Sequence, residues 1–196
     1  GADIITGGTG ADTIDVGDVN TDYDTIVVAA GDTVLTVGGT GTSGTISGFD
    51  VVTNANKSNG TYKADIVKTG GSIVANGAVN GTDGTLYFSA GGTAVIKSHS
   101  VTSGIITFDD ADIYQAAITP AASAAGLATA VQYLQANNLG ADLATVAFDV
   151  GTDSYIYAQG VEAGTNSKDI LVKLTGVDGL TSIATNAATN HLFGVA

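Results

Sequence analysis

Two aspartates near the start of the chain stand on a short repeat that offers several potential metal ligands. Asp3 and Asp12 are nine residues apart, and an isoleucine follows each of them two positions later, as Ile5 and Ile14. Glycines precede Asp12 in the stretch GGTGADTID, and a glycine turn leaves backbone carbonyl oxygens uncovered. Carboxylate and carbonyl oxygens are the ligands that Ca²⁺ prefers. The spacing therefore predicts a calcium site on a repeated turn, with an ordinary glycine-rich turn as the alternative.

The charge of the chain is one-sided. It contains 18 Asp and one Glu against six Lys and no Arg, and its formal net charge is -13. Nucleic acids and anionic membrane surfaces select basic proteins, so neither is an expected partner. The chain has no Cys, which excludes disulfides and zinc–thiolate sites, and no apolar run approaches the roughly 18 residues of a membrane span. This composition suits a protein that collects divalent cations.

The sequence predicts a fold that is mainly β. It has 28 Gly and a single Pro, with many Thr and Val between the glycines, which favours short strands separated by turns. Three segments are expected. Residues 1–38 would form a short calcium-binding parallel β-roll, or β-solenoid, and residues 39–120 a region of hairpins similar to a β-sandwich. Residues 121–196 would contain one helix and antiparallel strands.

The last of these segments carries the clearest helical pattern. Within residues 121–138, Leu127, Val131 and Leu134 recur at helical spacing, Pro120 precedes the stretch and Gly140 follows it. Strands are predicted afterwards at ATVAFDV, DSYIYAQ and DILVKLTGV, with a GTD hairpin turn between the first two. Upstream, strands are predicted at FDVVT, KADIVKT, SIVA, TLYFS, TAVIKSH and GIITF, and NGTDG and AGG are hairpin signals.

The nine-residue repeat also has a mechanical interpretation. Each copy would form a turn and a very short strand, and successive strands would alternate between two parallel sheets, so that one coil takes about 18 residues. Calcium would lie between a turn and its equivalent one coil later. The segments DYDTIVV and GDTVLTV continue the pattern in a weaker form, which pairs Asp3 with Asp22 and Asp12 with Asp32.

Residues 7–15 match the pattern G-G-x-G-x-D-x-(aliphatic)-x, and residues 1–6 match the last six positions of a preceding copy. On these residues the chain resembles the RTX family, the calcium-binding repeats of bacterial proteins exported by type I secretion. The order of the later parts, from TISGFD through the Ala-rich helix to DILVKLTGV, is similar to the ends of such proteins. The resemblance implies carbonyl ligands from Gly8 and Gly10 and carboxylate ligands from Asp3 and Asp12. With the aspartates of the weaker continuation, the predicted Ca²⁺ ligands are Asp3, Gly8, Gly10, Asp12, Asp22, Asp24 and Asp32.

The resemblance implies a function as well. It predicts a secreted, calcium-dependent structural protein of the bacterial cell surface, similar to an S-layer protein and assembling with copies of itself. Residues 121–196 would carry the signal that the type I secretion machinery reads. Two alternatives share this module: an adhesin, and a secreted hydrolase whose catalytic domain lies upstream. Because the chain begins inside a repeat, we expect further sequence before Gly1.

The remaining polar residues give no sign of a catalytic centre, and no enzyme activity is expected of this chain. Neither a paired-histidine zinc motif nor a serine nucleophile motif is present, and His99 and His191 stand alone. Each histidine is expected at the surface or hydrogen-bonded in the core. Asp109, Asp110 and Asp112 form the densest carboxylate cluster, which is interpreted as a turn, with a further calcium site as the alternative.

Overall fold

A computed structural model of the protein describes residues 1–17, 22–57, 63–89, 92–160, 168–186 and 190–194. These ranges contain many short strands and one α-helix, so the predicted mainly β fold class is confirmed. In chain order the strands are β1 Ile4–Thr6, β2 Thr13–Asp15, β3 Thr25–Val27, β4 Thr36–Gly38, β5 Thr45–Ser47, β6 Asp50–Thr53, β7 Ile66–Lys68, β8 Gly77–Asn80, β9 Leu86–Ser89, β10 Gly92–Val95, β11 Ser98–Thr102, β12 Ile105–Asp109, β13 Ala144–Val150, β14 Asp153–Gln159, β15 Ile170–Leu174, β16 Ser182–Asn186 and β17 Asn190–Gly194.

The helix α1 spans Ala124–Ala136, inside the predicted range. Its first turn is capped by Ser123, whose Oγ accepts the N–H of Gly126 at 3.1 Å, which satisfies one of the unpaired donors of a helix start. The apolar stripe at Leu127, Val131 and Leu134 is buried, as the helical spacing predicts.

Most strands belong to two sheets. The five-stranded sheet has the order β1-β3-β7-β17-β16, and the eight-stranded sheet has the order β2-β6-β15-β14-β13-β12-β11-β8. The hairpins β4–β5 and β9–β10 form separate antiparallel pairs. The predicted β13–β14 hairpin is confirmed, with Ala144 opposite Gln159 and Val150 opposite Asp153.

The N-terminal strands alternate between the two sheets. In the five-stranded sheet β1, β3 and β7 run parallel, with Ile4, Thr25 and Ile66 in register. In the eight-stranded sheet β2 and β6 run parallel, with Thr13 opposite Val51. The chain therefore passes from one sheet to the other between β1 and β2, between β2 and β3, and between β6 and β7. The β4–β5 hairpin is inserted between β3 and β6.

Two apolar cores lie on the two faces of the eight-stranded sheet. One core contains Ile14 and Val52 from this sheet and Ile26 from the five-stranded sheet, so it lies between the sheets. The other contains Phe148 of β13 together with Leu134 of α1, so it lies between the sheet and the helix. Because both faces are covered, the central strands β13 to β15 are buried almost throughout.

One predicted turn is corrected by the strand pairing. NGTDG was expected to join the strands SIVA and TLYFS as a hairpin, but Gly77–Asn80 forms β8, which pairs with β11. In SIVA, Ile73 forms only an isolated bridge, to Thr145 of β13. The division into residues 1–38, 39–120 and 121–196 stays a prediction about sequence segments; in the structure, strands from all three share the eight-stranded sheet.

Candidate metal centre

Aspartates directly before the parallel strands of the five-stranded sheet form a column. The main-chain N–H of Asp3 donates to Asp24 Oδ1 at 2.8 Å, and the N–H of Asp24 donates to Asp65 Oδ1 at 2.8 Å. Asp65 Oδ2 accepts a further N–H, from Asn56, at 2.7 Å. Asp24 and Asp65 are buried. Their carboxylates therefore accept backbone N–H groups in place of the water molecules that they lose on folding.

A second column stands at the edge of the eight-stranded sheet. The N–H of Asp12 donates to Asp50 Oδ1 at 3.0 Å, although 38 residues separate the two aspartates. Behind them Ile14 lies opposite Val52, and Val52 lies opposite Leu174 of β15, so the aliphatic residue two positions after each aspartate stacks in the core. The aspartates and the aliphatic residues thus share one periodic arrangement.

This register corrects the two predicted aspartate pairs. Asp24, not Asp22, is equivalent to Asp3, because Ile4 is in register with Thr25. Asp50, not Asp32, is equivalent to Asp12, because Thr13 is in register with Val51. The hydrogen-bonded pairs are 21 and 38 residues apart, whereas the regular repeat takes about 18, since extra residues lie between the strands.

The glycine-rich turn before Asp12 needs its glycines for two different reasons. A Cβ on Gly7 would lie 2.7 Å from Asp12 Oδ2, so the side chain of Asp12 occupies the space that a larger residue would fill. Gly8 and Gly10 have open space around them but φ angles of +91° and +123°, which L-residues with a Cβ rarely adopt. The turn therefore has a backbone conformation that few other sequences allow.

Asp32 lies beside this turn even though it is not register-equivalent to Asp12. The N–H of Gly10 donates to the carbonyl oxygen of Asp32 at 2.7 Å. The Asp32 side chain closes its own loop, since Oδ2 accepts the N–H of Ala29 at 2.8 Å. The loop that follows β3 therefore brings the backbone of Asp32 to the glycine-rich turn, while the Asp32 carboxylate closes the loop itself.

The electrostatics of Asp50 show that these carboxylates act on one another. Burial raises the pKa of the Asp50 carboxyl, and the negative charges of Asp12 and Asp32 raise it further, while the N–H from Asp12 lowers it. The pKa of Asp65 is raised in the same way, by burial first and also by the charge of Asp24. In each column, burial and a neighbouring aspartate therefore make the ionised carboxylate of Asp50 or Asp65 less favourable.

One carboxylate oxygen beside the glycine-rich turn has no hydrogen-bond partner among the described residues. Asp12 Oδ2 is buried and accepts no hydrogen bond from the described residues. The ion pairs found among the described residues do not include this cluster; they join Lys57 to Asp178, Lys97 to Asp112 and Lys173 to Asp153. A buried carboxylate oxygen without a donor is costly, and a cation is a chemically suitable partner for it.

The side chains do not form a complete metal cage by themselves. Within the described ranges, no group of three or more His, Asp or Glu side chains is arranged so that it could hold a metal ion. A calcium ion at this turn needs six or so oxygen ligands, which the carboxylates alone do not supply. The carbonyl oxygens of Gly8 and Gly10 are the additional ligands that the resemblance predicts for this turn.

The predicted ligands are therefore only partly brought together. Gly8, Gly10, Asp12 and Asp32 belong to one turn and the loop against it. Asp3 and Asp24 belong to the other column, in the five-stranded sheet. Asp22 is exposed and lies outside the register positions of both columns.

Sequence reasoning missed two members of the columns, Asp50 and Asp65. The signal that finds them is an aspartate followed two positions later by a stacked aliphatic residue, as in Asp50–Val52 and Asp65–Val67. This signal does not depend on a fixed spacing, so it survives insertions that break the nine-residue repeat.

The other predicted polar features have structural roles. Asp109 Oδ2 accepts the N–H groups of Gln115 and Ala116, which confirms the turn at the carboxylate cluster. His99 is buried, and its Nδ1 lies 2.8 Å from the hydroxyl of Tyr133, so it is a hydrogen-bonded core histidine as expected. The side chain of His191 lies outside the described residues.

A cleft of about 370 Å³ lies beside the start of α1, and its lining includes Phe49, Tyr155 and Lys173. Its acidic residue, Asp153, accepts from Lys173 Nζ at 2.8 Å and from the N–H of Gly176 at 2.8 Å, which makes it a structural acceptor. Burial raises the pKa of Tyr155 to about 12, and the charge of Asp153 adds to the rise, so this phenol stays protonated at neutral pH.

No protein-family model, curated protein or solved structure matches the chain. The resemblance to RTX repeats therefore stays a prediction that rests on the residues themselves. In the part of the chain that the structure describes, no helix is both long enough and apolar enough to cross a membrane.

Proposed function

We propose that this chain is part of a secreted, calcium-dependent protein of the bacterial cell surface, similar to an S-layer protein. In this proposal, the predicted β-roll of residues 1–38 extends to the parallel strands β6 and β7, which pair with β2 and β3, and the rest of the chain folds against it. Calcium would be held at the glycine-rich turn by the carboxylate of Asp12 and by carbonyl oxygens of Gly8 and Gly10, and its charge would draw the nearby carboxylates of Asp32 and Asp50 toward it.

The observation that carries this proposal is the buried, unpartnered Oδ2 of Asp12. It lies on a turn whose neighbours Asp32 and Asp50 are also acidic, and the negative charges of Asp12 and Asp32 raise the cost of ionising Asp50. A divalent cation removes this repulsion and gives the orphaned oxygen a partner. Two further observations support a roll: the strands alternate between two sheets, and parallel register places the aspartates in columns.

The physical consequence is a link between folding and calcium. An ion that binds the folded turn but not the unfolded chain stabilises the fold by mass action. Where calcium is scarce, the net charge of -13 favours the expanded chain, which is the form that export requires. Where calcium is plentiful, the carboxylates are neutralised and the strands close. The proposal also includes assembly of the folded protein with copies of itself. It further includes export by type I secretion machinery that recognises a signal within residues 121–196.

Isothermal titration calorimetry of calcium into the chelator-treated chain tests the proposal. We expect saturable binding by the unmodified chain and by Asp110→Asn, which removes one charge from an exposed aspartate far from the turn. In Asp50→Asn the amide oxygen can still accept the N–H of Asp12, so this variant removes the charge while keeping the hydrogen bond. Equal calcium affinity in Asp50→Asn and Asp110→Asn would refute the site.

A further inference from the structure

A buried connection runs from the glycine-rich turn to the helix and the central strands. It is made by residues 29–35, which follow β3 and which we name the bridging loop. On one side the loop contacts the turn, because the carbonyl oxygen of Asp32 accepts the N–H of Gly10 at 2.7 Å. This bond is short and joins two segments that the strand register does not pair.

On its other side the bridging loop enters the rest of the molecule. Thr33 Oγ1 donates to the carbonyl oxygen of Asp169 at 2.8 Å, across 136 residues of sequence, and both residues are completely buried. Two positions later Leu35 packs into the core that contains Leu134 of α1. Adjacent residues of one loop, Asp32 and Thr33, therefore contact two distant parts of the fold.

Asp169 connects this contact to two further elements. Its Oδ2 accepts from Gln135 Nε2 of α1 at 2.8 Å, and its Oδ1 accepts the N–H of Gly160, just after β14, at 3.0 Å. A shift of the backbone at Asp169 would disturb both bonds, because the residue is buried and cannot replace them with water. Thr33 thus bonds to Asp169, the residue that directly precedes β15 and is hydrogen-bonded to the helix.

The bridging loop also touches the segment that leads to Asp50. A Cβ on Gly48 would lie 1.9 Å from the carbonyl oxygen of Val34, so the loop packs directly on this glycine. Gly48 is two residues before Asp50, whose carboxylate feels the charges of Asp12 and Asp32. The bridging loop therefore contacts both the glycine-rich turn and the residues just before Asp50 at the start of β6. These are the two segments that would surround calcium.

We infer that Thr33 is a positioning residue that couples calcium at the glycine-rich turn to the ordering of α1 and β15. The inference rests on the proposed function. Calcium at the turn favours the loop position that Asp32 adopts here, and in that position Thr33 can bond to Asp169. The coupling is reciprocal, so weakening the Thr33–Asp169 bond also weakens calcium binding.

Amide hydrogen exchange of the full chain, followed by mass spectrometry over a series of calcium concentrations, tests this coupling. Peptides from residues 7–35 report on the turn, and peptides from residues 124–136 and 170–174 report on the helix and β15. In the unmodified chain we expect both groups to gain protection at the same calcium midpoint. In Thr33→Val, which keeps the shape of the side chain but loses the hydroxyl, the two midpoints should separate by about threefold or more.

Two variants make the test specific. Thr33→Ser keeps the hydroxyl and should restore a common midpoint. Thr145→Val removes another completely buried threonine hydroxyl, from β13, that has no hydrogen bond to the bridging loop. It should move both midpoints together without separating them.

The possible failures are distinguishable. If calcium protects residues 7–35 while residues 124–136 and 170–174 keep the same exchange at every calcium concentration, the coupling is wrong and the calcium site stands. The coupling through Thr33 is also wrong if Thr33→Val keeps a common midpoint. If calcium changes exchange nowhere in the unmodified chain, the proposed function fails, and the coupling fails with it.

Discussion

The backbone N–H of Asp12 donates to the side chain of Asp50 at 3.0 Å, joining two strands that are 38 residues apart in sequence. The same relation holds between Asp3 and Asp24 in the opposite sheet, at 2.8 Å. In each pair, the aspartate that comes first in the sequence donates its backbone N–H. The later aspartate accepts this bond with a carboxylate oxygen. The carboxylate of Asp12 is left with one oxygen, Oδ2, that no described residue bonds.

Removing the charge of Asp12 should have opposite effects with and without calcium. Asp12→Asn relieves the repulsion from Asp50, so the calcium-free chain should become slightly more resistant to urea. With calcium present, the variant should lose affinity by about tenfold or more, which corresponds to roughly 1.4 kcal/mol. Urea unfolding at zero and saturating calcium measures both effects. If Asp12→Asn is less stable to urea than the unmodified chain both with and without calcium, the proposed role of Asp12 as a calcium ligand is contradicted.

Gly7 should tolerate no side chain because Asp12 occupies its space. Gly7→Ala places a Cβ 2.7 Å from Asp12 Oδ2, and displacing that carboxylate should cost about 1–3 kcal/mol of folding stability in calcium. Thr9→Ala, at an exposed position of the same turn, is the matched control and should change stability by no more than about 0.5 kcal/mol. The urea midpoints of the two variants are measured in calcium. A lower midpoint for Gly7→Ala alone supports the steric role of Gly7, and equal midpoints would show that the turn accepts a side chain at this position.

His99 should make the fold weaker in mild acid. Burial lowers the pKa of His99 below its ordinary value of 6.5, so the folded protein resists protonation that the unfolded chain accepts. Above pH 6.5 this residue is neutral in both states and adds no pH dependence. As the pH falls below 6.5, the unfolded chain takes up the proton first, and stability should decrease by up to about 1.4 kcal/mol per pH unit until the folded pKa is reached.

The difference between the unmodified chain and His99→Gln isolates this effect, because other titrating groups are common to both. Unfolding free energies at saturating calcium between pH 7.5 and pH 5.5 provide the measurement. A constant difference over that range would mean that His99 has an ordinary pKa in the folded state.

The buried Asp169 should require its carboxylate. In Asp169→Asn one acceptor oxygen becomes an amide nitrogen, which then faces either Gln135 Nε2 or the N–H of Gly160 as donor against donor. The lost bond and the unsatisfied buried groups should cost about 1–3 kcal/mol, measured by urea unfolding. Asp178→Asn, at an exposed ion pair with Lys57, should cost no more than about 1 kcal/mol. Equal losses in the two variants would show that the Asp169 bonds are not what stabilises this part of the fold.

The sequence was most informative where local pattern and burial agree. The predictions of the helix, β13 and β14 agree closely with the structure, because the helix has a clear apolar stripe and all three elements end at turn residues such as Asn137 and Gly151. β8 was missed because Gly77–Asn80 is an exposed edge strand without an apolar alternation. NGTDG looked like a hairpin because local turn chemistry does not show which strands pair.

The candidate site could be predicted in its chemistry but not in its pairing. Asp3, Asp12 and Asp24 were found from their types and from the aliphatic residue that follows each of them. Their partners could not be found by counting, because the β4–β5 hairpin and the residues before β7 lengthen the coil, so that Asp24 and Asp65 are 41 residues apart. The aliphatic residue two positions later, Val52, marks Asp50 in the sequence, but only the tertiary register shows that Asp50 pairs with Asp12.

Calcium titration of the chelator-treated chain, followed by far-UV circular dichroism together with size-exclusion chromatography, tests the central claim most directly. We predict that calcium increases the β signal and compacts the chain, that chelator reverses both changes, and that Asp50→Asn needs more calcium for the same response. Larger assemblies at high calcium would further support a surface-array role. A β signal and an elution volume that are the same with calcium and with chelator would contradict the account, because the fold would then stand on its apolar cores alone.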